Sequence, residues 1–254
     1  MEKLLGLPVL ASEHGKDVDK LIVYVHYLML ALFIGWLAYF IYVLFRFHKS
    51  KNPKADYVGV RGHASTWIEV AVAAIEAVLL IGFAVPLWAK VVSDYPPEKD
   101  STVMRVVAEQ FGWNVRYPGK DGTFGKADAK FVDGSNKLGL DQKDPNGKDD
   151  IQTLNEIHVQ VNKPVLIHLT SRDVIHSFKV IAMRVCQDAI PGLSIPVHFT
   201  PTKVGKYQIN CAQLCGTGHF GMALGFITVD SPEDFKKWND EKTASAGKSA
   251  TSFE

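Results

Sequence analysis

The part of the sequence that decides the fold is the apolar stretch at residues 21–45, which reads LIVYVHYLMLALFIGWLAYFIYVLF. It contains no Lys, Arg, Asp or Glu. Crossing the apolar core of a bilayer takes about 20 residues at the rise of an α-helix. We therefore predict a transmembrane helix at residues 21–47, after an extramembrane segment at residues 1–20. The stretch is too long for a signal peptide, and no small-residue cleavage site follows it.

A second apolar run extends from Trp67 to Ala89, and we predict a second transmembrane helix at residues 67–92. This run contains two carboxylates, Glu69 and Glu76. Their spacing of seven places them on one face of a helix. Carboxylates inside a membrane are energetically costly, so they usually face a protein partner, water or a proton path.

The linker at residues 48–66 sets the orientation of the two helices. With Arg46 at its border it carries five basic residues against one acid, Asp56. Basic loops remain in the cytoplasm, so we expect a two-pass protein of the bacterial inner membrane with both termini on the periplasmic or outer side. The basic residues are Arg46, Lys49, Lys51, Lys54 and Arg61.

The rest of the chain, residues 93–237, is predicted to be an all-β domain of sandwich or barrel type. Short strand-forming runs follow one another at close intervals, separated by Pro, Gly, Asn and Asp. Residues 117–150 interrupt them as an inserted polar loop, solvated rather than calcium-binding. The sequence after Ser231 predicts a short closing helix, and residues 238–254 a disordered tail. The strand-like runs are 103–108, 157–161, 165–169, 177–180, 197–199, 205–209 and 225–229.

Composition excludes several classes of protein. The 254 residues have a formal net charge of +1, which does not suit a strongly basic nucleic-acid binder. A hydrophobic share of 47% argues against wholesale disorder. Three cysteines are too few for a disulfide scaffold, and no Cys-x-x-Cys-His is present to carry a covalent heme.

The candidate site lies at residues 211–222, which read CAQLCGTGHFGM, together with His176 upstream. Thiolate, thioether and imidazole ligands suit copper. The spacing Cys215-x3-His219-x2-Met222 with an upstream His is typical of a mononuclear blue-copper site. Because Cys211 adds a second thiolate, the two sulfurs can bridge two metal ions, each with one imidazole. Met222 and the backbone carbonyl of Gln213 would then be weak axial ligands.

Other interpretations of these residues remain open at this point. Two Cys and two His also form a zinc set, although zinc does not need Met222. Cys211 and Cys215 can form a disulfide in an oxidising compartment. The third cysteine, Cys186, is expected to be a buried free thiol rather than a ligand.

From the helix pair to about Val229, the chain resembles subunit II of the heme–copper cytochrome c oxidases. Besides the cysteine loop, the family's motifs are matched by residues 173–178 (DVIHSF) and 188–192 (DAIPG). The resemblance implies a cupredoxin-like Greek-key domain with a dinuclear copper A centre. It implies as ligands His176, Cys211, the Gln213 carbonyl, Cys215, His219 and Met222.

The resemblance also implies a function. The chain would accept electrons from a c-type cytochrome and pass them to heme in subunit I, where oxygen is reduced to water, in a proton-translocating complex that includes subunit III. On its own it would not reduce oxygen. Alternatives are the same module in a nitric oxide reductase and a membrane-tethered copper-binding or delivery protein.

Some positions depart from the family pattern. Gln213 stands where Glu usually binds a magnesium ion shared with subunit I, which makes magnesium doubtful. Phe111 aligns with the tryptophan at which electrons enter many members, and Trp113 follows two residues later. Leu193 stands where Arg is usual. By contrast, Glu69 matches the family's carboxylate near the cytoplasmic end of the second helix, which in many members forms the mouth of a proton channel in subunit I.

Overall fold

The computed structural model of the protein describes residues 2–55, 57–59, 62–134 and 136–249. Asp56 and Arg61 of the linker, and residues 250–254 of the predicted tail, lie outside the described residues. The chain divides into a helical unit, residues 1–7 and 17–90, and a β unit, residues 8–16 and 91–254.

The helical unit contains two helices that are each long and apolar enough to cross a membrane. Helix α1 (Glu2–Leu5) is short, and α2 (Gly15–Arg46) begins earlier than predicted because the polar turn at residues 15–20 continues the helix. The second span consists of α3 (Ala64–Leu79), a π-helical turn (Leu80–Ala84) and α4 (Val85–Ser93). The turn ends two residues before Pro86, whose ring interrupts the regular hydrogen bonding of a helix.

Residues 8–16 belong to the β unit although they lie before and at the start of the first long helix. The Ala11 N–H donates to the Ala182 carbonyl at 2.8 Å, and the Ala11 carbonyl accepts from the Thr202 N–H at 2.8 Å. The Ser12 hydroxyl donates to the buried Met183 carbonyl at 2.7 Å. Because Ala11 and Ser12 are both buried, this N-terminal segment is an integral part of the β domain.

The β domain is a sandwich of two five-stranded sheets. One sheet has the strand order β3-β2-β1-β5-β8, and the other has β4-β10-β9-β6-β7. The β1–β5 and β4–β10 pairs are parallel, and all other pairs are antiparallel. The strands are β1 (Thr102–Glu109), β2 (Gly112–Tyr117), β3 (Ile151–Leu154), β4 (Glu156–Gln160), β5 (Val165–Ser171), β6 (His176–Val180), β7 (Val185–Ala189), β8 (Ile195–Phe199), β9 (Gly205–Cys211) and β10 (Gly225–Asp230).

The core lies between the two sheets. Val106 and Ile167 of the first sheet and Ile157 and Ile209 of the second are all fully buried in one apolar cluster. In β4 and β10 every second residue is buried, as the alternation of side chains along a strand requires. The two apolar helices followed by a β sandwich confirm the predicted fold class.

The inserted loop occupies residues 118–150, between β2 and β3. It is polar, as predicted, but it is also anchored by a buried ion pair. The Arg116 guanidinium donates to the Asp150 carboxylate and, at 2.6 Å, to the Gly125 carbonyl. Within the loop, the Asn136 side chain donates to the Leu140 carbonyl at 2.9 Å and accepts from the Leu140 N–H at 2.9 Å.

The prediction of disorder from residue 238 was wrong for residues 238–249. Helix α5 extends over Pro232–Ser249. The Trp238 ring stacks on His158 at 4.5 Å and meets Tyr117 edge-on at 5.2 Å, and Lys242 pairs with Glu156 at 3.1 Å. Composition failed here because the helix is stabilised by tertiary contacts at a few positions rather than by an apolar face.

Candidate metal centre

The second sheet brings the two parts of the candidate site together. His176 begins β6 and Cys211 ends β9, and these strands are neighbours with Phe178 opposite Cys211. The remaining sequence-predicted ligands follow Cys211 in the loop and in the 3-10 turn at His219–Leu224, before β10. The pairing of β6 with β9 therefore converts residues distant in sequence into one site.

Three of the predicted ligands have their ligand atoms within 4.8 Å of one another: His176, Cys211 and Cys215. The sulfur atoms of the two cysteines are 3.9 Å apart, well beyond the S–S bond length of about 2.05 Å, so they are not joined as a disulfide. His219 contributes Nδ1 at 3.3 Å from the Cys215 sulfur. The cluster could therefore hold metal. The His176 ring is grouped with both sulfur atoms, whereas the His219 ring lies against the Cys215 sulfur.

The environment of His176 fits a metal ligand. The residue is fully buried, and its Nε2 lies 2.9 Å from the Asp173 carboxylate. Among the residues that the structure describes, no group hydrogen-bonds to the buried Nδ1. A buried polar atom without a partner is costly, and metal-ligating histidines usually place their second nitrogen on a carboxylate. The Nδ1 atom is therefore the free ligand atom of this ring.

Asp173 is held so that it can orient the His176 ring. Its carboxylate accepts hydrogen bonds from the backbone N–H groups of Gln110 and Val174, both at 2.7 Å. Burial alone would raise the pKa of Asp173, but the hydrogen bonds from His176, Gln110 and Val174 lower it below its ordinary value. The group therefore remains a carboxylate that can accept a hydrogen bond from the imidazole.

The two cysteine side chains are close enough to affect each other's ionisation. Burial, and next the neighbouring Cys211 thiol, raise the pKa of Cys215 to about 11. A bound cation reverses this because it stabilises the thiolate form directly. The Cys211 thiol also donates to the Gln213 carbonyl at 3.0 Å, which places that carbonyl beside the sulfur.

Met222 lies in the apolar core with Cys215 and is fully buried. Its backbone carbonyl accepts a hydrogen bond from the Trp113 indole N–H at 2.9 Å. The Trp113 ring also meets His176 edge-on, with ring centroids 6.2 Å apart. Trp113 therefore supports two of the predicted ligands from within the core.

The two aromatic residues predicted near the point at which electrons enter have different positions. Trp113 is fully buried, so it cannot form part of a docking surface. Phe111 lies in the β1–β2 turn rather than on a strand, and it is partly buried against the core. A Cβ atom at Gly218 would overlap the Phe111 ring, so this ring packs directly on the cysteine loop.

The sequence indicated no structural role for three charged residues that meet beside the β1–β2 turn: Glu109, Lys137 and Arg172. Glu109 is buried, and its carboxylate pairs with Lys137 of the inserted loop at 2.7 Å and with Arg172 at 2.8 Å. The only signal in the sequence was that Arg172 directly precedes the motif at residues 173–178, which contains His176. Nothing in the sequence indicated that Lys137 lies beside the same turn.

Several other residues for which the sequence predicted a position or a role lie outside the metal cluster. Cys186, expected to be buried, is exposed because it faces outward from the edge strand β7. Leu193 and the Gln213 side chain are also exposed. Glu69 and Glu76 are exposed residues of α3.

The chain was compared with known proteins. Residues 102–229, about half of the chain, match the family described as "Cytochrome C oxidase subunit II, periplasmic domain". The alternative cytochrome c oxidase subunit 2 of Bradyrhizobium diazoefficiens is 31% identical over 218 residues, 85% of this chain and 76% of that protein. Cytochrome c oxidase subunit 2 of Cereibacter sphaeroides is 29% identical over 217 residues, 79% of this chain and 68% of that protein.

A solved structure is also similar to part of the chain. It is the periplasmic domain of subunit II of cytochrome oxidase from Bradyrhizobium japonicum, which is 27% identical. The match covers 59% of this chain and 97% of that one, with a TM-score of 0.43.

Proposed function

Because the chain belongs to the cytochrome c oxidase subunit II family, we propose that it is the subunit at which electrons enter a terminal heme–copper oxidase. It accepts them from a c-type cytochrome and delivers them to heme in subunit I, where oxygen is reduced to water. The chain contributes a metal centre, its anchorage in the membrane and surfaces for its partners. It does not reduce oxygen by itself.

The observation that carries the proposal is the buried His176, in one cluster with the sulfur atoms of Cys211 and Cys215. Its Nδ1 has no hydrogen-bond partner within the described part of the chain. A purely structural histidine in a protein core normally has both ring nitrogens satisfied. Here one nitrogen is held by Asp173, and the other is left for a ligand. Two soft sulfur donors beside an imidazole match the preference of copper.

We assign the dinuclear copper A ligands as follows. The two cysteine sulfurs and the imidazoles of His176 and His219 would hold the two copper ions. Met222 and the Gln213 carbonyl are the weak ligands. In support, His219 lies against Cys215, and the Gln213 carbonyl lies against Cys211.

When bound, the copper pair would supply rapid one-electron chemistry without making or breaking bonds. The chain's residues contribute by holding the ligands in place. Met222 and Cys215 are buried, which keeps water from their two sulfur atoms, whereas Cys211 is partly exposed. Asp173 orients one imidazole, and Trp113 holds the backbone at Met222. A rigid, largely dry site of this kind changes little between redox states.

Gln213 does not favour a magnesium ion at this position. Its side chain is exposed and ends in an amide, which is a weaker ligand for a hard cation than a carboxylate. We therefore propose copper as the metal of this chain and assign no magnesium.

The N-terminal segment supports a two-pass topology. Residues 8–16 are hydrogen-bonded into the β domain, and α2 begins within them. The chain returns to the same domain after α4. Both ends of the helical pair therefore continue into one domain, which supports an even number of membrane crossings. We place that domain on the periplasmic or outer side, with the basic linker in the cytoplasm.

The test is an electron paramagnetic resonance spectrum with copper counting on the full chain in detergent after copper loading. We expect two coppers per chain and hyperfine structure from one unpaired electron shared by both nuclei. Cys211→Ser should abolish this pattern, whereas the matched control Cys186→Ser should leave it unchanged. One copper with a single-nucleus pattern, or zinc without a signal, would refute the proposal and favour copper handling or a structural site.

A further inference from the structure

We propose that Gln110, at the β1–β2 turn, is a positioning residue that couples the two ligand-bearing loops of the metal centre. The inference rests on the proposed function and adds a residue to it. Its two hydrogen bonds reach groups beside the predicted ligands: the Asp173 carboxylate and the Cys215 backbone carbonyl.

The first contact is with the cysteine loop. The Gln110 side-chain amide donates to the backbone carbonyl of Cys215 at 2.6 Å. This carbonyl belongs to the residue whose sulfur lies between Cys211 and His219. A hydrogen bond at this carbonyl restricts the backbone next to the sulfur and therefore restricts the position of the sulfur itself.

The second contact is with the loop that precedes β6. The backbone N–H of Gln110 donates to the Asp173 carboxylate at 2.7 Å, and the other oxygen of that carboxylate lies 2.9 Å from His176 Nε2. One residue is thus connected on one side to Cys215 and on the other to His176. The β1–β2 turn is therefore hydrogen-bonded to both loops that carry the predicted ligands.

Close packing around Gly216 supports the same connection between the β1–β2 turn and the cysteine loop. Gly216 has a φ of +135°, and a Cβ atom there would lie 2.8 Å from the Gln110 amide nitrogen and 3.1 Å from the Phe111 ring. The loop can approach the turn this closely because glycine has no side chain and tolerates this backbone conformation. The Glu109 carboxylate, paired with Arg172 at 2.8 Å, ties the turn to the residue before Asp173.

The exposure of Gln110 indicates what its replacement should change. Gln110 is exposed, so replacing its side chain removes little packing from the core. Its effect should appear in the geometry of the metal centre rather than in the stability of the fold. Outer-shell partners of metal ligands typically change metal affinity by about 10- to 100-fold when they are removed.

The test is Gln110→Ala in the full chain, measured after copper loading. We expect copper loss to a chelator to become about tenfold faster and the hyperfine pattern to change. A matched control is Gln208→Ala, because the exposed Gln208 amide also donates to a backbone carbonyl, that of Ala223, at 2.9 Å. This control should leave both copper measurements unchanged, even if the two variants lower the melting temperature of the metal-free protein equally.

A second variant keeps the inference testable if Gln110→Ala does not fold. Gln110→Glu preserves the size of the side chain but places a carboxylate against the Cys215 carbonyl, so it should weaken copper retention at least as much. If either folded variant keeps the parent's copper retention and spectrum, the positioning role is wrong. If the unaltered chain itself fails to bind two coppers, the proposed function is wrong instead.

Discussion

Replacing Trp113 by phenylalanine tests how the core supports the metal centre. Trp113 is fully buried, and its indole N–H is the donor to the Met222 carbonyl. Phenylalanine retains an aromatic ring beside Phe178 but cannot donate this hydrogen bond. The buried carbonyl would lose the indole donor, and a small cavity would remain where the second ring of the indole was.

Both effects destabilise the β domain, and their sizes follow from the structure. Leaving a buried carbonyl unsatisfied costs about 1–3 kcal/mol. Removing part of a buried side chain costs roughly 1–2 kcal/mol more. We expect a total of about 3 kcal/mol, which for a domain of this size lowers the melting temperature by on the order of 6–12 °C. Because Met222 is displaced, the hyperfine pattern of the copper-loaded chain should also change.

The chain contains a matched control, Trp238→Phe. In the described part of the chain, the Trp238 indole N–H has no hydrogen-bond partner, so this change removes ring contacts alone. Thermal unfolding of both variants in detergent, followed by circular dichroism, gives the comparison. The reasoning fails if Trp113→Phe melts no lower than Trp238→Phe, or if its copper spectrum matches that of the unaltered chain.

Four further predictions concern other parts of the molecule. Cys186→Ser should abolish the rapid reaction of the native chain with a maleimide, because Cys186 is the exposed thiol; persistent labelling would contradict this. Ser12→Ala should cost about 1–2 kcal/mol in unfolding free energy, since it removes the hydroxyl that donates to a buried carbonyl; an unchanged melting temperature would show that the N-terminal segment does not stabilise the domain. Burial alone would raise the pKa of Glu156, but the contact with Lys242 lowers it below its ordinary value of 4.5. This ion pair should therefore stabilise α5 above pH 4.5 and lose its effect as the pH falls through the lowered pKa. Since both side chains are partly exposed, Lys242→Ala should cost under about 1 kcal/mol at pH 7 and nothing in strong acid, as unfolding at the two pH values will measure. Glu69→Gln should slow turnover of the assembled oxidase without altering the copper spectrum, and unchanged turnover would exclude a role in proton uptake.

The site illustrates how far local sequence can be interpreted. Cys211, Cys215, His219 and Met222 occur within one short loop, so their spacing and chemistry alone indicated a copper site. Asp173 precedes His176 by three residues and was visible as part of a motif. By contrast, no local pattern indicated that Gln110 reaches Cys215, because 105 residues separate them.

The two wrong predictions, the burial of Cys186 and the disorder of residues 238–249, both concern properties that depend on tertiary structure. Cys186 was expected inside because cysteine is commonly buried, but its burial depends on β7 lying at the edge of a sheet. Residues 238–249 were expected to be disordered because their composition offers no apolar face. Trp238 alone supplies the stacking contact with His158 that anchors this helix. Tertiary contacts at a few positions carry almost no compositional signal.

The sequence by itself determined the two apolar helices and the β character of the larger domain, and it predicted a metal-ligand set, since each follows from composition or from spacing over short stretches of chain. Tertiary structure decided which strands are neighbours and what surrounds each ligand. It paired β6 with β9, which brought His176 to the cysteines, and it placed the β1–β2 turn against both loops. It also inserted residues 8–16 into the β domain. These arrangements depend on contacts between segments far apart in sequence, and burial and hydrogen bonding select them only when the whole domain is assembled.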